Sequence, residues 1–174
     1  MGKAILLTGL PGSGKTTLIR RVVADLNTLA GGFYTQEIRG AGVRKGFEIV
    51  TLDGRRGILA HVDVRGRHRV GKYGVDLAAL EVVGVAAIHA AIAAGSLVVI
   101  DEIGPMEILS EPFRRAVLAA LESASPVLGT IVRRSTPFTD AIKARPGVTI
   151  IEVRPDNRTT LLPQIVELLQ SSTQ

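Results

Sequence analysis

Eight residues near the start of the chain constrain its fold more than any other feature. The run Gly9-Leu10-Pro11-Gly12-Ser13-Gly14-Lys15-Thr16 follows the pattern G-x-x-x-x-G-K-[ST]. An apolar run, residues 3–8, comes directly before it, and a segment with helical spacing of apolar residues follows. Because glycines let the backbone wrap closely with its N–H groups pointing inward, such a unit forms an anion-binding nest. The pattern therefore predicts a phosphate-binding loop at the start of a helix.

The last two residues of this loop are expected to contact phosphate and metal. Lys15 is predicted to neutralise the β- and γ-phosphates of a nucleotide, which gives it a catalytic role. The Thr16 hydroxyl is predicted to ligate Mg²⁺, the expected cofactor. The loop residues assigned to nucleotide binding are Gly9, Leu10, Pro11, Gly12, Ser13, Gly14, Lys15, Thr16 and Thr17.

Two acids follow an apolar strand predicted at residues 96–100. Acids at the carboxyl end of a buried strand lie in the ligand crevice of a parallel sheet. Asp101 is therefore predicted to hold Mg²⁺, and Glu102 to orient the water that attacks the γ-phosphate. The alternative is that these acids only cap the strand or the following turn. Residues 101–104 also match the D-x-x-G of regulatory GTPases, but the sequence has no N-K-x-D guanine reader.

The remaining pattern alternates between strands and helices, which predicts an α/β fold: a parallel sheet with helices on both faces. An Asp53-Gly54 turn between two β-like runs predicts an antiparallel hairpin inserted into that sheet. The predicted elements are a helix at 15–29 stopped by Gly31-Gly32, strands at 33–38, 43–52 and 56–62, a basic loop at 65–74, a helix at 76–94 capped by Asp76, a helix at 111–122, a strand at 126–132, a helix at 136–144, a strand at 148–153 and a helix at 159–169.

The length and the charge of the chain limit the number of domains and the kinds of site that it can contain. A chain of 174 residues predicts one domain, 1–174, and the lack of cysteine excludes thiolate nucleophiles and Cys-ligated zinc. Residues 39–72 hold nine Lys/Arg against three Asp/Glu, a local charge of +6 in a chain of net charge +5. No signal peptide or membrane span is recognisable, so a cytoplasmic protein is expected. The oligomeric state stays open, with a monomer as the simpler expectation.

Several segments together resemble a known family. They are GLPGSGKTTLIRRV, GGFYTQEIR, RKGFEIVTLDG, GKYGVDL and VVIDEIGPMEILS. These are similar to the small P-loop nucleoside-triphosphatases, a family with thermophilic prokaryotic members and the human cancer-related nucleoside-triphosphatase. The resemblance implies a RecA-like P-loop fold and slow, Mg²⁺-dependent hydrolysis of nucleoside triphosphates such as ATP and GTP, with broad base tolerance. It also implies nucleotide binding at Val98, Val99, Ile100, Asp101, Glu102, Ile103, Gly104 and Pro105.

Four further residues are weaker candidates. Arg133 and Arg134 follow a predicted strand, so either is a candidate γ-phosphate sensor or internal arginine finger, and a solvated surface pair is the alternative. Asn157 and Arg158 follow the last predicted strand, where they could contact the base. A cap on the final helix is the alternative for Asn157.

Three functions compete on these residues. Hydrolysis of nucleoside triphosphates is favoured because Glu102 suits the activation of water. A small kinase that phosphorylates a nucleoside, nucleotide or nucleic-acid end is the alternative, with residues 39–72 as its acceptor site or lid. A nucleic-acid-binding ATPase is not favoured, because Phe47 in the basic segment and Tyr73 directly after it are the only aromatic residues there.

Overall fold

The strand before the phosphate loop lies inside one large sheet, in a computed structural model that describes residues 2–171. Met1 and residues 172–174, part of the predicted domain, lie outside the described residues. The strands are β1 (Ala4–Thr8), β2 (Ala30–Gly40), β3 (Val43–Thr51), β4 (Arg56–His61), β5 (Arg69–Val70), β6 (Tyr73–Val75), β7 (Leu97–Ile103), β8 (Val127–Ile131) and β9 (Val148–Glu152). Across residues 2–171 their order is β5-β6-β4-β3-β2-β7-β8-β1-β9.

The parallel half of the sheet positions the predicted site. Here β2 pairs with β7, β7 with β8, β8 with β1 and β1 with β9, all in parallel. The strand of the phosphate loop and the strand of the acidic pair are therefore separated by β8 alone. Since parallel strands end at one edge, the loop and the acids meet there.

Helices cover both faces of the sheet, as predicted. The α-helices are α1 (Lys15–Leu26), α2 (Leu77–Ala79), α3 (Ala86–Ala93), α4 (Glu111–Glu122), α5 (Pro137–Lys143) and α6 (Arg158–Gln170). A π-helical segment, Leu80–Val85, joins α2 to α3 inside the helix predicted at 76–94. No helix of residues 2–171 is both long and apolar enough to cross a bilayer.

The two cores follow from the alternation of side chains along a strand. On β1, Leu6 packs into the core with α3, α4 and α5, while its neighbours Ile5 and Leu7 pack into the core with α1 and α6. All three side chains are completely buried. The amphipathic helix α1 supplies Leu18 and Ile19 to the second core, so the helix that starts at the phosphate loop is fixed against β1.

The insertion is larger than the single predicted hairpin. Strands β3, β4, β6 and β5 add four antiparallel strands to the sheet, and we call them the β-extension. The predicted loop at 65–74 contains β5 and the start of β6. Strand β2 joins the two halves, because Phe33 pairs both with Ile100 of β7 and with Thr51 of β3.

The predicted role of two glycines as a helix stop is wrong. Helix α1 ends at Leu26, and its C-cap residue Asn27 has a φ of 47°, in the left-handed region. Gly31 and Gly32 lie in β2 instead, where space is short. An added Cβ would approach Ala91 Cβ within 2.9 Å at Gly31 and Val99 O within 2.0 Å at Gly32. These glycines let β2 pack closely against α3 and β7.

Candidate active site

The phosphate loop has the backbone that its sequence requires. Gly12 and Gly14 have φ angles of 77° and 92°, which side chains other than glycine rarely adopt. Gly14 is the N-cap of α1, so the loop opens directly into the helix. The Lys15 ammonium donates hydrogen bonds to Gly9 O and Leu10 O, both at 3.0 Å. The loop thus surrounds its lysine with carbonyl groups.

The acidic strand contacts the loop directly. Thr16 Oγ1 donates a hydrogen bond to Asp101 Oδ2 at 2.6 Å, and Thr130 Oγ1 donates one to Asp101 Oδ1 at 2.7 Å. Both carboxylate oxygens are therefore held by hydroxyl groups, one from α1 and one from β8. Two predicted metal ligands meet here, and the oxygen donors that they supply are those that Mg²⁺ prefers.

Thr130 was not among the predicted site residues. It lies in the buried strand VLGTI and is 0% exposed. A lone hydroxyl in an apolar strand next to β1 is the sequence feature that could have identified it. Buried hydroxyl groups need a hydrogen-bond partner, and the partner of Thr130 is the carboxylate of Asp101.

Burial dominates the electrostatics of Asp101, which is 3% exposed. Loss of hydration raises the pKa of its carboxyl above the ordinary value. The hydrogen bonds from Thr16 and Thr130 and the positive charges of Lys15 and Arg20 oppose that rise. A buried carboxylate surrounded by donors and cations suits a site that receives a metal ion together with a polyanion.

Glu102 is next to Asp101 and half-buried, and the strand reaches beyond both acids. We predicted that the strand ends at residue 100, but β7 continues to Ile103. The peptide bond between Asp101 and Glu102 is cis. Burial raises the pKa of the Glu102 carboxyl, the charge of Asp101 adds to the rise, and the charge of Lys15 opposes it.

A third carboxyl, which was not among the predicted site residues, interacts with this pair. Glu107 belongs to a short 3₁₀ turn, Glu107–Leu109, and is only 3% exposed. Burial raises its pKa well above the ordinary value, and the charge of Glu102 adds to the rise. Nothing in the local sequence IGPMEILS marks this glutamate as buried.

The Glu107→Gln variant should be more stable than the parent, and increasingly so as the pH rises. Because the pKa is raised in the folded state, the native protein binds this proton more tightly than the unfolded chain does. In the parent, the contribution of this proton to the free energy of unfolding is fully present at acidic pH. That contribution is lost as the pH rises through the raised pKa of the folded protein. The melting temperature of Glu107→Gln should exceed that of the parent by an amount that grows between pH 4 and pH 8. For a chain of this size, each kcal/mol of added stability raises the melting temperature by ~2–4 °C.

The exposed Glu167 on α6 provides the control for that measurement. Its Gln variant should follow the parent at every pH. An equal gain for Glu107→Gln at pH 4 and pH 8 would contradict a raised pKa, because the gain would then come from packing alone.

Residues 98–105, which were predicted to bind nucleotide, divide into buried strand residues and the turn that follows them. Val98, Val99 and Ile100 are 0% exposed and lie in the two cores, so the structure gives their side chains a positioning role. Ile103 is also completely buried. An added Cβ at Gly104 would lie 2.5 Å from Glu102 Oε1, and Pro105 follows as the chain turns toward Glu107.

The weaker candidates differ in what surrounds them. Arg133 and Arg134 are exposed just beyond the end of β8, and no ion pair joins either side chain to another of residues 2–171. Asn157 occupies the N-cap position of α6, but its amide donates to Glu152 O at 2.9 Å and accepts from Arg154 N at 2.8 Å. Its side chain therefore orders the loop after β9. A direct role of these residues toward a nucleotide stays a prediction.

Arg158 lies against the phosphate loop. An added Cβ at Gly14 would lie 2.8 Å from its Nη1, so the guanidinium packs against the phosphate loop. It borders a cavity of about 360 Å³ together with Thr17 and Arg21 of α1. This cavity continues outward from the end of the loop, along the start of α1.

Known proteins share this sequence and fold over nearly their whole lengths. A family model described as NTPase matches residues 4–166. The chain is 48% identical to nucleoside-triphosphatase THEP1 of Thermotoga petrophila, covering 95% of this chain and 92% of that protein. It is 41% identical to the cancer-related nucleoside-triphosphatase homolog of Bos taurus, with 99% of each chain covered.

A solved structure agrees with these relatives. The crystal structure of THEP1 from Aquifex aeolicus superposes with a TM-score of 0.88 at 34% identity, covering 96% of this chain and 99% of the other. The phosphate loop and the acidic strand both fall within the residues that the family model matches. On this combined similarity of sequence and structure, the chain belongs to the NTPase family of P-loop proteins.

Proposed function

We propose that the protein hydrolyses nucleoside triphosphates to diphosphate and phosphate, with Mg²⁺ and with little preference among bases. The observation that carries this proposal is the contact between Thr16 of the phosphate loop and Asp101 of the acidic strand. It joins the groups that would hold phosphate to the groups that would hold a metal. The nucleoside-triphosphatase names of the similar proteins support the same reaction.

The residues present fit a magnesium ion that arrives with its nucleotide. Thr16 and Asp101 offer a hydroxyl and a carboxylate, which are hard oxygen ligands, and Mg²⁺ commonly takes one or two carboxylates and leaves its other positions to phosphates and water. No group of three or more His, Cys, Asp or Glu that could hold a metal occurs among residues 2–171. When bound, the ion would supply positive charge to the phosphate oxygens.

The chain's own groups would then perform three tasks. Inward N–H groups of the loop and the start of α1 would bind the phosphates. The Lys15 ammonium would exchange Gly9 O and Leu10 O for phosphate oxygens and neutralise charge that develops on the leaving diphosphate. Glu102 would orient a water and accept its proton as the new oxygen–phosphorus bond forms and the β–γ bridging bond breaks.

The cavity beside Arg158 supports the proposed tolerance of different bases. A guanidinium plane stacks on the face of any base, because every base has a π-face and stacking reads no hydrogen-bond pattern. Arg21 and Arg158 add positive charge near the α-phosphate end of a bound nucleotide. We therefore assign this cavity to the base and ribose.

Phosphate release from ATP, GTP, CTP and UTP tests the proposal. With Mg²⁺ and no other acceptor, each should yield diphosphate and free phosphate at rates within about tenfold of one another, since a missing or extra base contact would be worth on the order of 1 kcal/mol. EDTA should abolish release. No phosphate release from any of the four nucleotides would reject the proposal.

Thr130 should lower the Mg²⁺ concentration that phosphate release requires, by orienting Asp101 and without contacting the nucleotide. Thr130→Val keeps the shape of the side chain but removes the hydrogen bond to Asp101 Oδ1. We expect the Mg²⁺ concentration for half-maximal phosphate release to rise roughly tenfold or more, in line with other residues that orient a ligand. Thr130→Ser restores the hydroxyl and should restore the Mg²⁺ titration. An unchanged titration in Thr130→Val would contradict this positioning role.

A further inference from the structure

A second cavity borders Glu102, and none of its lining residues belongs to the phosphate loop. It has a volume of about 350 Å³, and its walls come from the β-extension and from the turn after β7. Small-molecule sites usually measure ~300–1,000 Å³. The cavity therefore has room for a ligand the size of a nucleoside, in the crevice beyond the strand ends where open α/β sheets bind ligands.

Aromatic rings form one wall of this cavity. The ring centroids of Phe47 and Tyr73 lie 5.4 Å apart in an edge-to-face arrangement. Arg44 lies over both rings, at 5.2 Å from the centroid of Phe47 and 5.8 Å from that of Tyr73, and donates a hydrogen bond to the Tyr73 hydroxyl at 2.9 Å. Met106 contributes an apolar surface from the turn after β7. A flat ring is the kind of group that such walls accommodate.

Carboxyl groups line the opposite part of the cavity. Glu102 and Glu107 both border it, and Glu107 is 3% exposed. Carboxyl groups form hydrogen bonds with hydroxyl groups, and an ionised carboxylate repels anions. A sugar with free hydroxyl groups would satisfy them, whereas a phosphate at this end would lie beside Glu102, the carboxylate that the proposed reaction needs in its ionised form. The Arg44 guanidinium also borders the cavity, but it donates its hydrogen bonds to the Tyr73 hydroxyl and to Glu37 on the β-extension side.

We propose that the cavity binds an uncharged nucleoside, whose hydroxyl takes the γ-phosphoryl group in place of water. This inference rests on the proposed function, because it uses the same nucleotide site and the same carboxylate. In the step, the nucleoside oxygen forms a bond to the γ-phosphorus and the bond to the β–γ bridging oxygen breaks. The hydroxyl proton passes to Glu102, and the nucleoside diphosphate leaves.

The position of Glu102 is the reason for this assignment. It follows Asp101 directly, at the predicted metal site, and it also lines the cavity. A hydroxyl held against it from the cavity would occupy the place of the attacking water. The second substrate and the water would then compete for one carboxylate.

Label transfer from [γ-³²P]ATP tests the proposal. Adenosine, guanosine, cytidine and uridine would be supplied one at a time at millimolar concentration, and free phosphate would be separated from labelled organic product. We expect labelled nucleoside monophosphate with at least one of them, together with a matching fall in free phosphate. AMP serves as the charged comparison and should accept at least tenfold less label than adenosine.

Two variants that fill the cavity test whether the nucleoside must bind there to receive the phosphoryl group. Val70→Trp from the β-extension and Met106→Trp from the opposite wall should each lower the ratio of labelled product to free phosphate at least tenfold. Val43→Trp is the matched control, because Val43 is 52% exposed on the β-extension outside the cavity and its ratio should not change. Thermal unfolding verifies that each variant is folded.

Two results would overturn the proposal. One is free phosphate without any labelled nucleoside, or label on AMP in preference to adenosine. The other is an unchanged product ratio in both filling variants. Absence of phosphate release when no nucleoside is present would instead reject the proposed hydrolysis, so the two failures are distinguishable.

Discussion

Lys15→Ala should lose phosphate release by about 100-fold or more, because removal of one preorganised group that stabilises transition-state charge costs ~10²–10³ in rate. The ammonium lies within the phosphate loop, 3.0 Å from two of its carbonyl oxygens. No other Lys or Arg of residues 2–171 has its charged group bonded to Gly9 O or Leu10 O. Initial rates of phosphate release at saturating ATP and Mg²⁺ would measure the loss.

A matched substitution on the β-extension provides the control. Lys45→Ala removes an exposed lysine of β3 and should leave phosphate release within about twofold of the parent, as expected for a surface charge with little effect on the site. If Lys15→Ala and Lys45→Ala behaved alike, Lys15 would have no catalytic role. Melting temperatures of both variants would exclude unfolding as the cause.

Glu102→Gln should also lose phosphate release by at least ~100-fold, with ATP still bound. The amide keeps the size of the side chain but cannot accept a proton, and general base catalysis commonly contributes ~10²–10⁴ in rate. The Thr16–Asp101 contact does not involve Glu102, so the residues proposed to hold Mg²⁺ are unchanged in this variant. Single-turnover phosphate release and titration with a fluorescent ATP analogue would separate the chemical step from binding.

Glu111→Gln is the comparison for that variant. Glu111 is exposed at the first turn of α4, and among residues 2–171 its ion-pair partner is Arg115, four residues along the same helix. Its substitution should leave both the rate and the ATP affinity unchanged. Phosphate release by Glu102→Gln at the rate of the parent would remove the water-orienting role from Glu102.

The local sequence pattern was sufficient to predict those parts of the candidate site whose residues are neighbours in the sequence. The phosphate loop could be predicted because the glycines, Lys15 and Thr16 stand at fixed offsets between a strand and a helix. Thr130 and Glu107 could not, because each matters through a contact with another part of the chain. Thr130 meets Asp101 from a strand 29 residues further on, and Glu107 is a buried residue that borders a cavity together with residues of the β-extension.

The same limit applies to the sheet. Alternation of strands and helices predicted the α/β fold with helices on both faces, which is confirmed by the solved structure of the Aquifex aeolicus relative. The role of Gly31 and Gly32 could not be predicted, because a glycine pair that ends a helix and one that permits close strand packing have the same sequence. The Cβ distances at these positions, 2.9 and 2.0 Å, are set by α3 and β7 and have no counterpart in the local sequence.

The place of β1 in the sheet has a consequence for synthesis of the protein. Both strands that pair with β1 lie late in the chain: β8 starts at Val127 and β9 ends at Glu152. On the ribosome the phosphate loop therefore emerges before β8 and β9, and its supporting strand lacks both neighbours until those later strands have been translated. Such distant pairings delay folding. ATP binding should accordingly arise late during translation, as one of the last properties that the nascent chain acquires.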